Sequence, residues 1–292
     1  MRVLLFLCLL ASGCATPAPD VGRTITDDLG RTVALPDSVT RILTLAPSLT
    51  ELVYAVGAGD RLVGASQVDD YPPEVTALPR FSTYPMAHEQ IAALNPQLVL
   101  ATDQINKTTD AEVLAEVGIA TAFLSFNTLA DVSEAARKMG AWIGVDDEAT
   151  AFADAFDAQL AAFASRTDTI AARPSVLVLI GEQPLYSFGA GSYIQTLIDL
   201  AGGTSTTADL PTPHPILNAE FVIMQPPDVI LMSATPPYDP ATLLAVQPSF
   251  TGLPAIQNGR VYAIHPDLLS RPGPRLLDGL AQLTSYLHPN VR

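Results

Sequence analysis

The chain has 292 residues, with 30 acidic against 15 basic side chains and a formal net charge of −15. Apolar residues make up 48% of it and charged ones only 15%, which excludes a disordered chain and leaves ample material for a core. The acidic balance excludes nucleic acid as a partner, because that role rewards clustered Lys and Arg, and it argues against adsorption on anionic lipid headgroups.

Chain order then gives a start that looks like an export signal. Arg2 precedes an apolar run from Val3 to Leu10, too short to span a bilayer, and small residues Ala11, Ser12 and Gly13 lead into Cys14. A Cys directly after the small residues matches the bacterial lipobox, so Cys14 is the expected lipidation site. A chance Cys behind an ordinary signal is the alternative. Residues 1–13 are thus read as signal peptide and 14–23 as a Pro-rich tether. The only other cysteine, Cys8, lies inside the signal, so the mature chain has no disulfide and rests on its core.

Residues 24–127 read as one α/β lobe. Thr24–Leu35 has two β-rich arms around Asp-Asp-Leu-Gly, a hairpin pattern. Arg41–Ala46 reads as a buried strand. Ser48 is placed to cap a helix bearing Leu49, Leu52 and Val53, with Glu51 completing a capping box. Arg61–Ala65 is expected as a short strand, His88–Leu94 as a short helix and Gln97–Ala101 as a strand. Asp110–Val117 follows as a helix and Thr121–Phe126 as a strand. This alternation predicts a parallel sheet covered by helices.

Strand signals stop over residues 128–172, where Phe152, Phe156, Leu160 and Phe163 form a helical stripe. Residues 173–292 read as a second α/β lobe. Its strands are Val176–Ile180, Asp228–Met232 and Val261–Ile264, and its helices Tyr193–Leu200, Asn218–Met224 and Arg275–Leu287. The fold class expected is therefore α/β, with two lobes of central sheets flanked by helices and joined by one long backbone helix. Such a connection should hinge less than a pair of flexible strands.

Catalytic motifs are missing. The chain has no G-x-S-x-G, H-E-x-x-H or P-loop, and Gly57-Ala58-Gly59 follows a helix rather than opening one, as a C-cap does. His88, His214, His265 and His288 show no short metal-ligand spacing. Asp69-Asp70 before Tyr71-Pro72-Pro73 reads as a turn. No enzyme, no resident cofactor and no protein-held metal are expected; an exported enzyme is the reading from another class.

The stretch RILTLAPSLTELVYAVGAGDRLVGAS, then DDYPPEV and FSTYPMAHEQIAALNPQLVLA, resembles the N-terminal lobe of the periplasmic vitamin B12-binding protein family, whose members serve ABC importers of corrinoids, haem and siderophores. NAEFVIMQPPDVILM echoes HEQIAALNPQLVLA in the second lobe, and HPDLLSRPGPRLLDGL resembles the family's final cleft loop. The resemblance covers nearly the whole mature chain. Together with the lipid anchor expected at Cys14, it implies a receptor, periplasmic or at the cell surface and monomeric, that captures a corrinoid between the lobes and delivers it to the importer's membrane subunits. Haem or a ferric siderophore is the alternative cargo.

The same resemblance carries roles to particular residues. Glu89 and Glu220 match the carboxylates that dock on importer arginines, the alternative being ordinary solvated helix residues. Tyr84, Tyr186 and His214 fall at aromatic positions of the cleft, and Asp267 and Arg271 match polar ligand contacts. Packed loop tyrosines, a turn histidine and a local ion pair are the competing readings. Val68, Thr102 and Leu268 stand where that receptor has further aromatics, and its cysteine pair is missing. Those departures weaken the match to intact B12. Tyr84 and His214 are also the residues that suit an iron-bearing cargo.

Overall fold

The computed structural model describes residues 22–167 and 170–289. The signal segment, Cys14 and the tether up to residue 21 lie outside the described residues.

The opening hairpin pairs Arg23–Thr26 with Thr32–Leu35 in antiparallel register. Buried Asp27 builds its turn: Oδ1 accepts from the backbone N–H groups of Leu29 and Arg31, and Oδ2 accepts from Phe123 N–H in the first lobe. One carboxylate thus closes the turn and fastens the hairpin to the sheet.

That sheet has three parallel strands, Ile42–Thr44, Leu98–Thr102 and Ala120–Leu124, with Leu98–Thr102 in the middle and buried on both faces. Continuous apolar strands are what a parallel sheet covered on both sides requires. The helix after the first strand runs Pro47–Ala55 and corrects one expectation. Pro47, whose fixed φ suits the first helical position, starts it early, so Ser48 lies inside the helix and caps nothing. Glu51 is then free of a capping box and reaches elsewhere. The expected strand at 61–65 is also shorter. Ala58 and Gly59 carbonyls take the N–H groups of Arg61 and Leu62, so the chain turns there and extends only at Ala65–Ser66.

Between the lobes the chain forms Ala130–Ile143 and then the long helix Asp146–Thr167, joined at Gly144, whose φ of 72° is left-handed. The two pack tightly. A Cβ on Gly140 would sit 2.3 Å from the Cβ of Ala149, so only glycine permits that approach. Phe156 and Phe163 turn inward, and the single tryptophan, Trp142, is buried within this helical spine.

The second lobe has four parallel strands in the order Thr204–Ser205, Ser175–Leu179, Val229–Ser233 and Val261–Ile264. Ser192 caps Tyr193–Leu200 and Asn218 caps Ala219–Met224 through their side-chain oxygens. Helix Leu276–Leu287 closes the lobe against Val261–Ile264. One apolar cluster runs through Leu98 and Leu124, the spine residue Phe156, and Val176 and Leu283. The lobes and spine therefore share a core.

Phe156→Ala should cost about 3–5 kcal/mol, whereas Phe152→Ala, at a half-buried position, should cost clearly less. Urea unfolding of the two variants beside the parent chain checks the difference.

Candidate functional site

Parallel sheets present loops at the carboxyl ends of their strands, and both lobes aim those ends at one place. A cavity of about 510 Å³ has walls from each lobe. Gln104 and Ile105 follow Leu98–Thr102, Phe126 and Asn127 follow Ala120–Leu124, and Ile180 follows Ser175–Leu179. Phe188, Tyr193, His214 and Ser270 complete it from the second lobe. The volume lies within the range of ligand clefts, and the lining mixes aromatic and aliphatic side chains with polar ones from both lobes.

His214 stands edge-on to Phe188, ring centroids 5.7 Å apart. The Tyr193 hydroxyl donates to the Leu269 carbonyl at 2.8 Å, and burial pushes its pKa up, so it remains a neutral donor. That bond ties a cleft helix to the loop that follows Val261–Ile264.

The same loop carries the largest ion-pair cluster among the described residues. Arg275 grips Glu51 with two bonds, Nη2 to Oε1 at 2.6 Å and Nε to Oε2 at 2.9 Å. Arg271 Nε meets Asp267 at 2.9 Å, its Nη1 meets Asp70 at 2.7 Å, and Glu51 lies 3.5 Å from the same nitrogen. Arg275 also lies 3.4 Å from Asp267 and stacks over the Tyr71 ring. Glu51, Asp70 and Tyr71 belong to the first lobe, the others to the second. The cluster is therefore an interlobe bolt.

Its electrostatics follow burial. The Glu51 side chain is 2% exposed, and loss of water raises its pKa, with the Arg275 bond pulling the other way. At Asp70 desolvation is the largest single influence and pushes upward, but the hydrogen bond and charge of Arg271, together with the charge of Arg275, outweigh it and hold the carboxyl low. Glu51 and Arg275 were not singled out from sequence as site residues. The available signal is a glutamate among Leu49, Leu52 and Val53, in a helix whose residues 48–53 are all buried.

The remaining predicted residues distribute as follows. Tyr84 is 95% exposed, an aromatic ring in water with no packing role. Tyr186 is 42% exposed on the short strand Leu185–Tyr186, paired to Ile216–Leu217. His214 lines the cavity; Tyr84 and Tyr186 do not. Asp267 and Arg271 sit together in the bolt beside Ser270. Glu89 and Glu220 are exposed in the first turns of His88–Ala93 and Ala219–Met224, one per lobe, without an ion-pair partner among the described residues.

A family model described as periplasmic binding protein matches residues 42–268, most of the chain. The chain belongs to the periplasmic binding protein family. It is accordingly a substrate-binding protein of an ABC transporter, and a binding protein rather than an enzyme. The vitamin B12-binding protein of Vibrio cholerae is 29% identical over 257 residues, covering 87% of this chain and 91% of its own. The crystal structure of that organism's periplasmic vitamin B12 binding protein BtuF superposes with a TM-score of 0.73 at 27% identity, over 86% of this chain and 97% of its own. The periplasmic heme-binding protein RhuT of Roseiflexus superposes with a TM-score of 0.78 at 25% identity, over 87% of this chain and 100% of its own. The ABC transporter substrate-binding lipoprotein YvrC of Bacillus subtilis is 25% identical over 307 residues, covering 99% of this chain and 96% of its own.

Removing one member of a buried pair strands the other, so Glu51→Ala should lose about 3–5 kcal/mol of stability. Replacing Glu51 and Arg275 together by Met should recover most of that loss. Denaturant unfolding of the single and double variants decides it.

Proposed function

We propose that this receptor captures a corrinoid in the interlobe cleft and delivers it to an ABC importer while tethered to the membrane through a lipid on Cys14. The observation that carries the reading is the cleft itself, where aromatic and aliphatic walls from two lobes adjoin the Asp267–Arg271 pair. Flat aromatic and apolar surfaces suit the faces of a large amphipathic ring system, and a few directed polar groups suit its amide-bearing edge. The likeness to vitamin B12-binding proteins supports the same cargo. The lipoprotein relative supports the anchor.

In this reading Tyr84 and Tyr186 cover exposed parts of the ligand, His214 packs on it from the cavity wall, and Asp267 with Arg271 bonds its periphery. Glu89 and Glu220 orient the receptor on basic loops of the importer, where paired anionic points raise the encounter rate. The receptor acts as a monomer. Haem is the second reading, favoured by one specific observation: His214 lines the cavity, and an imidazole is an axial ligand that iron accepts.

Calorimetry of the chain from Ala15 onward with cyanocobalamin, cobinamide and haemin separates the two. One-to-one binding of a corrinoid with none for haemin is expected; haemin binding alone, with a Soret band altered by His214→Ala, overturns the corrinoid assignment. Tyr84→Ala should weaken the bound corrinoid by about tenfold, and an unchanged dissociation constant removes Tyr84 from the site. Glu89→Ala with Glu220→Ala should leave that constant unchanged but impair uptake by cells, and wild-type uptake defeats the docking role.

A further inference from the structure

The two exposed glutamates belong to one repeated unit, and the repeat is in register beyond them. Each helix has six residues with its glutamate second, and each glutamate precedes a buried five-residue strand by nine residues, Glu89 before Leu98 and Glu220 before Val229. Buried Ile91 corresponds to buried Val222, and buried Pro96 to buried Pro227. The inward faces are thus equivalent.

The outward faces differ. Three and four residues after Glu89 stand Ala92, which packs on the first-lobe core, and exposed Ala93, but after Glu220 stand Ile223 and Met224. Ile223 is 46% exposed and Met224 is 82% exposed, on a two-turn helix where neither meets the core. A flexible thioether in water and a half-exposed branched aliphatic side chain beside an exposed carboxylate lie outside the second-lobe core cluster. They suit a partner surface that offers a cation with an apolar recess next to it.

We infer that Ile223 and Met224 form an apolar anchor on the second-lobe docking helix, and that the importer's exposed basic loops bury it. This deepens the docking role proposed for Glu220 and rests on that reading. Charge complementarity argues for this occupant: the chain carries −15 overall, and the patch adjoins an unpaired carboxylate. The first lobe then contacts the importer through charge with small side chains, and the second through charge with apolar burial. An otherwise two-fold set of contacts becomes directional, so each lobe has its own energetic weight.

The test adds purified receptor back to receptor-depleted spheroplasts of the source organism and follows radiolabelled cargo, cyanocobalamin or haemin as calorimetry selects. Ile223→Ser with Met224→Ser should raise the receptor concentration for half-maximal uptake by about tenfold, with cargo affinity and unfolding midpoint unchanged. Ala93→Ser, a change at the exposed position of the first-lobe helix, should shift it less than twofold by the same estimate of apolar burial. If the second-lobe variant superposes on the parent while the Glu89→Ala and Glu220→Ala double variant is impaired, the anchor is refuted and docking by glutamate stands. If all superpose, both ideas fall.

Discussion

A buried carboxylate needs a partner, and in this molecule the partner of Glu51 lies in the other lobe. That constraint fixes much of the structure. An ionised glutamate at 2% exposure is tolerated only because Arg275 presents two parallel bonds to it, and Arg275 is held in turn by Asp267 and the face of Tyr71. Any opening that parted the lobes at this point would leave charges stranded in a poorly hydrated seam. The bolt and the shared apolar spine thus act in the same sense, and the fold is built to keep its lobes near a single separation.

The bolt also sets the chemistry at the edge of the cleft. Arg271 divides itself between Asp267, which is buried, and Asp70, whose side chain is 60% exposed and far easier to displace. The Asp70 contact is therefore open to exchange with solvent, while Asp267 keeps the guanidinium aimed. The cleft floor is preorganised, and its outermost contact is exchangeable.

Much of this was legible in the sequence. Continuous apolar strands alternating with helices specify two covered parallel sheets, and the Phe152–Phe163 stripe marks the spine, because both patterns depend on local periodicity. The boundary errors are physical as well. Ser48 with Glu51 has the form of a capping box, but Pro47 fixes the helix start, and no local rule anticipates an arginine 224 residues further on. The cavity lining was harder still. Ile105, Phe126 and Ile180 look like ordinary core residues in one dimension, and only the meeting of strand ends gathers them. Tyr84 and His214 are assigned through resemblance rather than pattern, since nothing in their local sequence says that one stands in water and the other at a wall.

The lone indole gives the molecule a built-in optical reporter. Trp142 is buried in the spine, away from the cavity lining, and the backbone carbonyl it carries accepts from Arg23 at the start of the opening hairpin. Its emission therefore follows the integrity of the link between lobes. A colourless cargo leaves that emission nearly untouched, whereas a strongly absorbing macrocycle in the cleft drains it by energy transfer, so the colour of the cargo is written into the receptor's own fluorescence.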